Sequence, residues 1–296
     1  MIKKTLQYEI TEKDQGKTVE QFLRSKGYSH RLVVKLRNSP TGLTIGGELA
    51  YTIHRLQTGE VLTATLEEEN SQNIVPAKLP LNIVYEDEDI LVVNKDAGVP
   101  IHPSQGHFDH TLANAVAWYY QSKGQTLVYR AINRLDRDTT GLLVIAKHLL
   151  AGCILSDQML HRQIHRQYRA IVCGKTEKEG IIDAPIGRAE DSTVLRRIDF
   201  EHGETARTHY KLLSYDEEKD LSYISLKLDT GRTHQIRVHM GYIGHPLPGD
   251  FLYNPDYISR QPLHSYGLEF IHPLTGEPLS FTAPLPKDMA ALVKES

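Results

Sequence analysis

The sequence predicts a protein of mixed α and β structure in two parts, a small N-terminal unit and a larger body. Segments of helical period alternate with short apolar runs of strand length, bounded by Gly, Pro, Asn and Asp. A polar stretch at residues 67–73, followed by Pro76 and Pro80, interrupts that pattern and reads as a linker. A length of 296 residues suits two domains. The boundaries drawn from these signals are 1–72 for the small unit, 73–80 for the linker and 81–296 for the body.

The small unit is clearest over residues 17–66. Val19, Phe22 and Leu23 fall on one helical face, and Gly27 ends that helix. Ser29 is an N-cap for a second helix over 30–37, since its hydroxyl can accept a backbone N–H that the first turn leaves unpaired. Arg31 and Lys35 lie one turn apart on that helix, on the side of Asn38. Residues 43–45 read as a strand, Gly46-Gly47 as a turn, and 61–66 as an alternating strand that closes the unit. In the body, 83–85 and 90–95 form a hairpin across 86–89, and 98–110 is a loop holding His102, His107 and His110. Helical spacing over 111–123 places Leu112, Ala113, Val116 and Tyr120 together. A buried strand at 142–146, a helix at 149–161 and a strand at 168–172 follow. A strand at 222–228 runs into Gly231, with a helix behind it at 233–242. The chain has no internal repeat.

Composition narrows the function classes. Hydrophobic residues make up 40% and charged residues 24%, ordinary values for a globular protein, and no apolar run is long enough to span a membrane. The first residues lack the apolar core of a signal peptide, so a cytoplasmic location is expected. Cys153 and Cys173 match no zinc spacing. The net charge is −3, yet residues 17–59 carry +5 and residues 130–169 carry +4, leaving −12 on the rest. Two basic zones on an acidic body suit a phosphate backbone as partner.

The chemistry concentrates in two phrases, Arg134-Leu-Asp-Arg-Asp-Thr-Thr-Gly141 and Gly231-Arg-Thr-His-Gln-Ile-Arg-Val-His239. Asp136 stands between Arg134 and Arg137 in a polar turn, and by local sequence alone it reads first as a turn former, a role that suits Asp138 better still. Pairing Asp136 with Asp138 as a glycosidase couple is poor, because residues two apart on a turn seldom hold the required separation. Arg232 and Arg237, five apart, face different sides of a helix, so one can reach inward while the other reaches a ligand. With His234 and Gln235 they sit at a helix N-terminus, which favours anions. An arginine beside a buried carboxylate would keep it ionised. His161 and His165 have i,i+4 spacing but no converging partner for a metal. Tyr168 opens an apolar strand, either as a core tyrosine or as a plane on which a base stacks.

These phrases, with Tyr168 between them, resemble the RluA/RluD-like pseudouridine synthases that modify large-subunit ribosomal RNA and some tRNA. Val93-Asn-Lys95 with Gly98, His102-Pro-Ser104, Gly244-His-Pro246, Gly249-Asp250, Leu263-His264 and His272-Pro-Leu-Thr-Gly-Glu277 fit the same family, over about residues 80–287. Residues 17–66 resemble, less specifically, the small RNA-binding module called the alpha-L motif. The resemblance implies an α+β fold, with a mixed, largely antiparallel sheet, flanking helices and a basic cleft, and an enzyme that uses neither cofactor nor metal. It implies that Asp136 is catalytic, that Arg237 pairs with it and that Tyr168 stacks on the target uracil. Asn133, Arg134, Arg137, Arg232, His234, Gln235 and His102 would bind substrate, and Arg31, Lys35 and Arg37 would bind RNA. Ribosomal RNA is the expected partner and tRNA the alternative, with no membrane and no obligate protein partner. Two positions depart from the family: Asn133 stands where histidine is common, and Asp96 where proline is common. Asn133 can exchange hydrogen bonds but carries no charge, so altered RNA contacts are expected.

Two other readings remain open at this point. An inactive RNA-binding or ribosome-assembly protein would release no tritium from uridine-labelled RNA. A nucleoside or glycoside hydrolase would liberate free base from nucleosides. The sequence also suggests that deleting residues 1–70 would weaken RNA binding while sparing the fold of the remainder.

Overall fold

Two separate main sheets organise the chain. The computed structural model describes residues 2–69, 74–104, 106, 108–190, 192–255 and 259–293. The first sheet holds β1 (Ile2–Glu9), β2 (Leu43–Ile45), β3 (Glu48–Leu49) and β4 (Val61–Glu68), in the order β1-β4-β2-β3. Helices α1 (Val19–Ser25) and α2 (His30–Arg37) belong to the same unit. Thr18 and Gln21 cap α1 reciprocally, and the Ser29 hydroxyl accepts the Leu32 N–H at 3.2 Å at the start of α2. Caps of this kind contribute about 1 kcal/mol each.

β1 is an element the sequence reading missed. It pairs with β4 along its whole length, from Ile2 opposite Glu68 to Glu9 opposite Val61. Its inward positions are Ile2, Lys4, Leu6 and Tyr8, a period of two interrupted by a lysine. That lysine reaches away from its own sheet to Glu88 (2.9 Å) and Asp89 (3.1 Å). The stretch expected as a linker is partly strand: Glu67 and Glu68 end β4. Glu68 is buried, pairs with Arg130 and accepts the Leu149 N–H at 2.9 Å, which satisfies a carboxylate that burial would otherwise penalise. Residues 70–73 of that expected linker, and His107 of the expected histidine loop, lie outside the described residues.

The second sheet has nine strands. They are β5 (Ile83–Glu86), β6 (Ile90–Lys95), β7 (Thr140–Ala146), β8 (His165–Cys173), β9 (Glu179–Asp183), β12 (Arg207–Asp216), β13 (Leu221–Leu228), β14 (Leu263–Ile271) and β15 (Pro278–Thr282). A hairpin of β10 (Ile186–Arg188) and β11 (Arg196–Ile198) stands apart. The order is β5-β6-β7-β14-β8-β13-β12-β9, with β15 on β14. Every pairing is antiparallel except β7 with β14. The remaining helices are α3 (Leu112–Ser122), α4 (Leu149–Leu160), α5 (Gln235–Tyr242) and α6 (Lys287–Ala290). The fold is α+β with a largely antiparallel sheet, as the resemblance implied.

β6 and β7 are covered on both faces, which explains their unbroken apolar runs. Leu91, Val93, Leu143 and Ile145 share a core with Val116 of α3 and with Ile236 and Met240 of α5. Ile90, Val92, Leu142 and Val144 pack with Ala151 and Leu155 of α4. The other side of α4 enters the N-terminal core: Leu150 is buried there, with Leu149, Cys153 and Ile154 against it. One helix thus serves both units, so removing residues 1–70 would uncover Leu150 and strip Glu68 from Arg130. Among the described residues, no helix is long and apolar enough to cross a membrane.

Candidate active site

Asp136 sits where the chain turns into β7. Ahead of it, the buried Asn133 accepts the Val144 N–H at 3.0 Å and donates to the Leu142 carbonyl at 3.3 Å, tying its segment to β7. The Asp136 carbonyl accepts the Thr139 N–H at 3.2 Å and closes the turn. Two cations then hold the turn from below. Lys95 Nζ donates to the Arg137 carbonyl at 2.8 Å, and Arg260 Nη1 donates to the Asp138 carbonyl at 3.0 Å. Gly141 follows at φ 110°, and a Cβ there would lie 2.3 Å from the Ser265 carbonyl oxygen. Only glycine permits that backbone approach, where β7 and β14 run parallel.

α5 brings Arg237 to this turn across 101 residues of sequence. Its guanidinium is 2% exposed and is shared by two carboxylates. Nη1 donates to Asp136 Oδ2 at 2.9 Å, while Nε and Nη2 donate to the two oxygens of Asp250 at 2.6 Å each. Asp250 is 1% exposed and also accepts the Leu252 and Tyr253 N–H groups at 3.1 and 3.3 Å. The Tyr253 ring centre lies 5.0 Å from the guanidinium carbon. Burial opposes the charge on Arg237, but the bonds to Asp250 and the charge of Asp136 outweigh it, so its pKa is raised above the usual arginine value. Asp136 keeps 22% of its side chain exposed, leaving a carboxylate edge toward the cleft. A buried pair holds the cation in place and a partly open acid uses it, an arrangement suited to an oriented nucleophile.

His234 caps α5 from a left-handed backbone position, φ 58°. Its Nδ1 shares a hydrogen bond with the Tyr253 hydroxyl at 2.9 Å, and its Nε2 stands 4.0 Å from Asp136. Burial pushes its pKa down against the pull of Asp136, which favours the neutral ring. Tyr168, 4% exposed on β8, lines the same cleft with Arg134, Leu228 and Leu263. The cleft therefore joins an acid edge, an aromatic ring and apolar walls.

Other expected site residues have different partners. Both halves of the Asn133 amide are taken by β7. Gln235 is 3% exposed: it accepts from the Thr230 hydroxyl (2.8 Å) and the Arg232 N–H (2.9 Å), and donates to the Arg207 carbonyl and the Thr208 hydroxyl (3.0 Å each). It fastens the loop before α5 to β12. Arg232 pairs with Glu204 and donates to the Thr205 carbonyl at 3.1 Å. Arg137 pairs with Asp138 at 2.9 Å and lies over Phe251, its guanidinium carbon 5.2 Å from the ring centre. The Asp138 carboxylate thus goes to Arg137, while the Asp136 backbone closes the turn. His102 is exposed, edge-on to Tyr129, and outside the cleft lining. Arg31, Lys35 and Arg37 stand exposed on α2.

Asp250, Tyr253, Lys95 and Arg260 are the residues that sequence reasoning left without a role. Gly249-Asp250 and Asn94-Lys95 belonged to the matching phrases, but nothing local marks their partners. The i,i+4 reading of His161 and His165 does not hold, since His161 ends α4 and His165 starts β8. Asp87, Asp89 and His272 do converge. However, His272 Nδ1 accepts the Leu274 and Thr275 N–H groups at 3.3 and 3.0 Å, which leaves the ring proton on Nε2, 3.0 Å from Asp87. Hydrogen bonding accounts for that cluster.

Comparison with known proteins adds four findings. Residues 89–242 match the family described as RNA pseudouridylate synthase. The uncharacterized RNA pseudouridine synthase YjbO of Bacillus subtilis is 41% identical over 281 residues, covering 94% of this chain and 98% of that one. The ribosomal large subunit pseudouridine synthase D of Vibrio cholerae is 40% identical over 255 residues, covering 80% and 78%. Among solved structures, human RNA pseudouridylate synthase domain containing 1 superimposes with a TM-score of 0.60 at 28% identity, covering 70% of this chain and 84% of that one.

Proposed function

This chain belongs to the RNA pseudouridylate synthase family and is an RNA uridine isomerase; from that premise we propose that it converts uridines of large-subunit ribosomal RNA to pseudouridine through Asp136, without a cofactor. The observation that carries the reading is the Asp136–Arg237 contact at 2.9 Å, in a cleft that Tyr168 also lines. A uridine is extruded from its stack into this cleft, because the bond to be broken is shielded inside the helix. Asp136 attacks C1′ as the N1–C1′ bond breaks, and its bond to C1′ breaks in turn when C5 attaches there, with N1 taking a proton from solvent. The uracil turns with its plane against Tyr168, a C5–C1′ bond forms, and the C5 proton leaves to solvent. Arg237 supplies a fixed positive charge beside the carboxylate at no cost in reorganisation. Asp250 and Tyr253 position Arg237, and Lys95 and Arg260 position the turn.

RNA is the partner, and a relative named for the ribosomal large subunit supports ribosomal RNA over transfer RNA. A cytoplasmic location accompanies that proposed substrate. Exposed Arg31, Lys35 and Arg37 add affinity through phosphates, which carry no sequence information. The proposed limits are residues 1–72 for the RNA-binding unit and 81–296 for the catalytic one, joined through α4. The test is tritium release from unmodified transcripts of large-subunit ribosomal RNA, labelled at uridine C5. Release to water, with pseudouridine mapped at discrete positions, is expected. Release from transfer RNA transcripts alone would reassign the substrate, and none from either would remove the activity.

A further inference from the structure

A second groove adjoins the Asp136 cleft and shares Arg134, Leu228 and Arg232 with it. Its other walls come from the turn after α4, with Arg162, from the start of β8, with His165 and Arg166, and from the loop running from β13 to α5. Four arginines line it, Arg134, Arg162, Arg166 and Arg232, against one carboxylate, Asp229. Arg232 is neutralised by Glu204, and Asp229 is bonded to His209 at 3.0 Å. Among the described residues, Arg134, Arg162 and Arg166 have no carboxylate within ion-pair distance. The groove therefore presents three unpaired cations beside the catalytic cleft. Leu160, 77% exposed, adds an apolar wall.

The backbone at Arg162 makes this more than a solvated surface. α4 ends with the Arg162 N–H on the Met159 carbonyl (3.2 Å) and the Gln163 N–H on the Gln158 carbonyl (2.8 Å). That double closure places Arg162 at φ 59°, the left-handed position where glycine is the default because it has no Cβ to strain. The chain carries an exposed arginine where the helix end calls for glycine. Across the groove, the Arg166 guanidinium lies against Gly231, where a Cβ would come within 3.1 Å of Nη2. The two walls thus meet at cationic side chains.

We propose that this groove holds the phosphodiester backbone of the RNA strand flanking the extruded uridine, with Arg162 as a phosphate contact kept at the expense of helix-end strain. The inference rests on the RNA-modifying reading of the adjoining cleft. The test compares wild type, Arg162→Gly and Arg162→Lys in the full chain, with the same tritium-labelled ribosomal transcript as probe. Glycine relieves the strain, so Arg162→Gly is expected to melt no lower than wild type. Its RNA affinity falls nonetheless, its KM for tritium release rises about tenfold, and its plot of log affinity against log salt flattens by about 0.7, the share of one phosphate on a single strand. Arg162→Lys keeps the charge and the wild-type salt slope. A glycine variant that binds with wild-type affinity and slope overturns the proposal, and so does a lysine variant that loses as much as glycine. Should wild type release no tritium, the activity falls, while the binding comparison still decides the groove.

Discussion

Replacing Asp250 with asparagine tests how much the site depends on a residue that never meets substrate. Arg237 donates two of its three side-chain hydrogen bonds to Asp250, at 2.6 Å each, and both side chains are within 2% of full burial. Removing one partner of a buried ion pair costs about 3–5 kcal/mol, because the remaining charge is left short of compensation. Asparagine keeps the shape and can still accept the Leu252 and Tyr253 N–H groups, so about 3 kcal/mol applies here. The melting temperature of a chain this large should then fall by about 6 °C. One guanidinium bond becomes a donor facing a donor, and Arg237 shifts toward Asp136. A misplacement of about 1 Å in such a site lowers the rate about a hundredfold. Thermal denaturation and tritium release measure both quantities. A variant that melts within about 1 °C of wild type and retains its kcat/KM would refute the idea that Asp250 positions Arg237.

Lys95 gives a pH-dependent expectation. Burial holds its ammonium down to about 7, against the opposing charges of Asp138 and Asp136. An unfolded lysine holds its proton to about 10.4. Between these values the unfolded chain binds more protons, so Lys95 makes stability rise with pH across that window, and the gain is absent below about 7. Lys95→Met removes the slope, so the melting temperature of wild type minus that of the variant should grow from neutral to alkaline pH; parallel curves would contradict this. The RNA role of α2 is best tested in the intact chain, since truncation uncovers Leu150. Replacing Arg31, Lys35 and Arg37 together with alanine should flatten the salt dependence of RNA binding by about 2, three times the single-strand share; an unchanged slope would clear α2 of phosphate contact.

In the body, β5 to β8, β13 and α3 to α5 were readable because their signals are local, whereas β9 to β12, β14, β15 and α6 went unread. Ser29 in the N-terminal unit and Thr111 in the body each stand one residue before a helix and accept a backbone N–H from its first turn. β1 was not readable, because a lysine sits among its inward positions and its partner acids, Glu88 and Asp89, belong to a distant turn. The start of α5 was placed two residues early, since the left-handed backbone of His234 and the Gln235 side chain hold residues 230–234 outside the helix. At the site, Asn133 and Gln235, expected from the resemblance to bind substrate, spend their hydrogen bonds on the backbone and on neighbouring hydroxyls. Asp136 and Arg237 were legible only through the resemblance. No local pattern states which of many arginines will cross 101 residues to one carboxylate, or that Asp250 will hold it there.

The most direct measurement is tritium release by Asp136→Asn, alongside its RNA affinity and melting temperature. Asparagine keeps the shape and a hydrogen bond to Arg237 but removes the nucleophilic charge. Loss of all detectable turnover is expected, with RNA bound as by wild type and the fold intact. Release at a rate approaching wild type from a correctly folded variant would contradict the account.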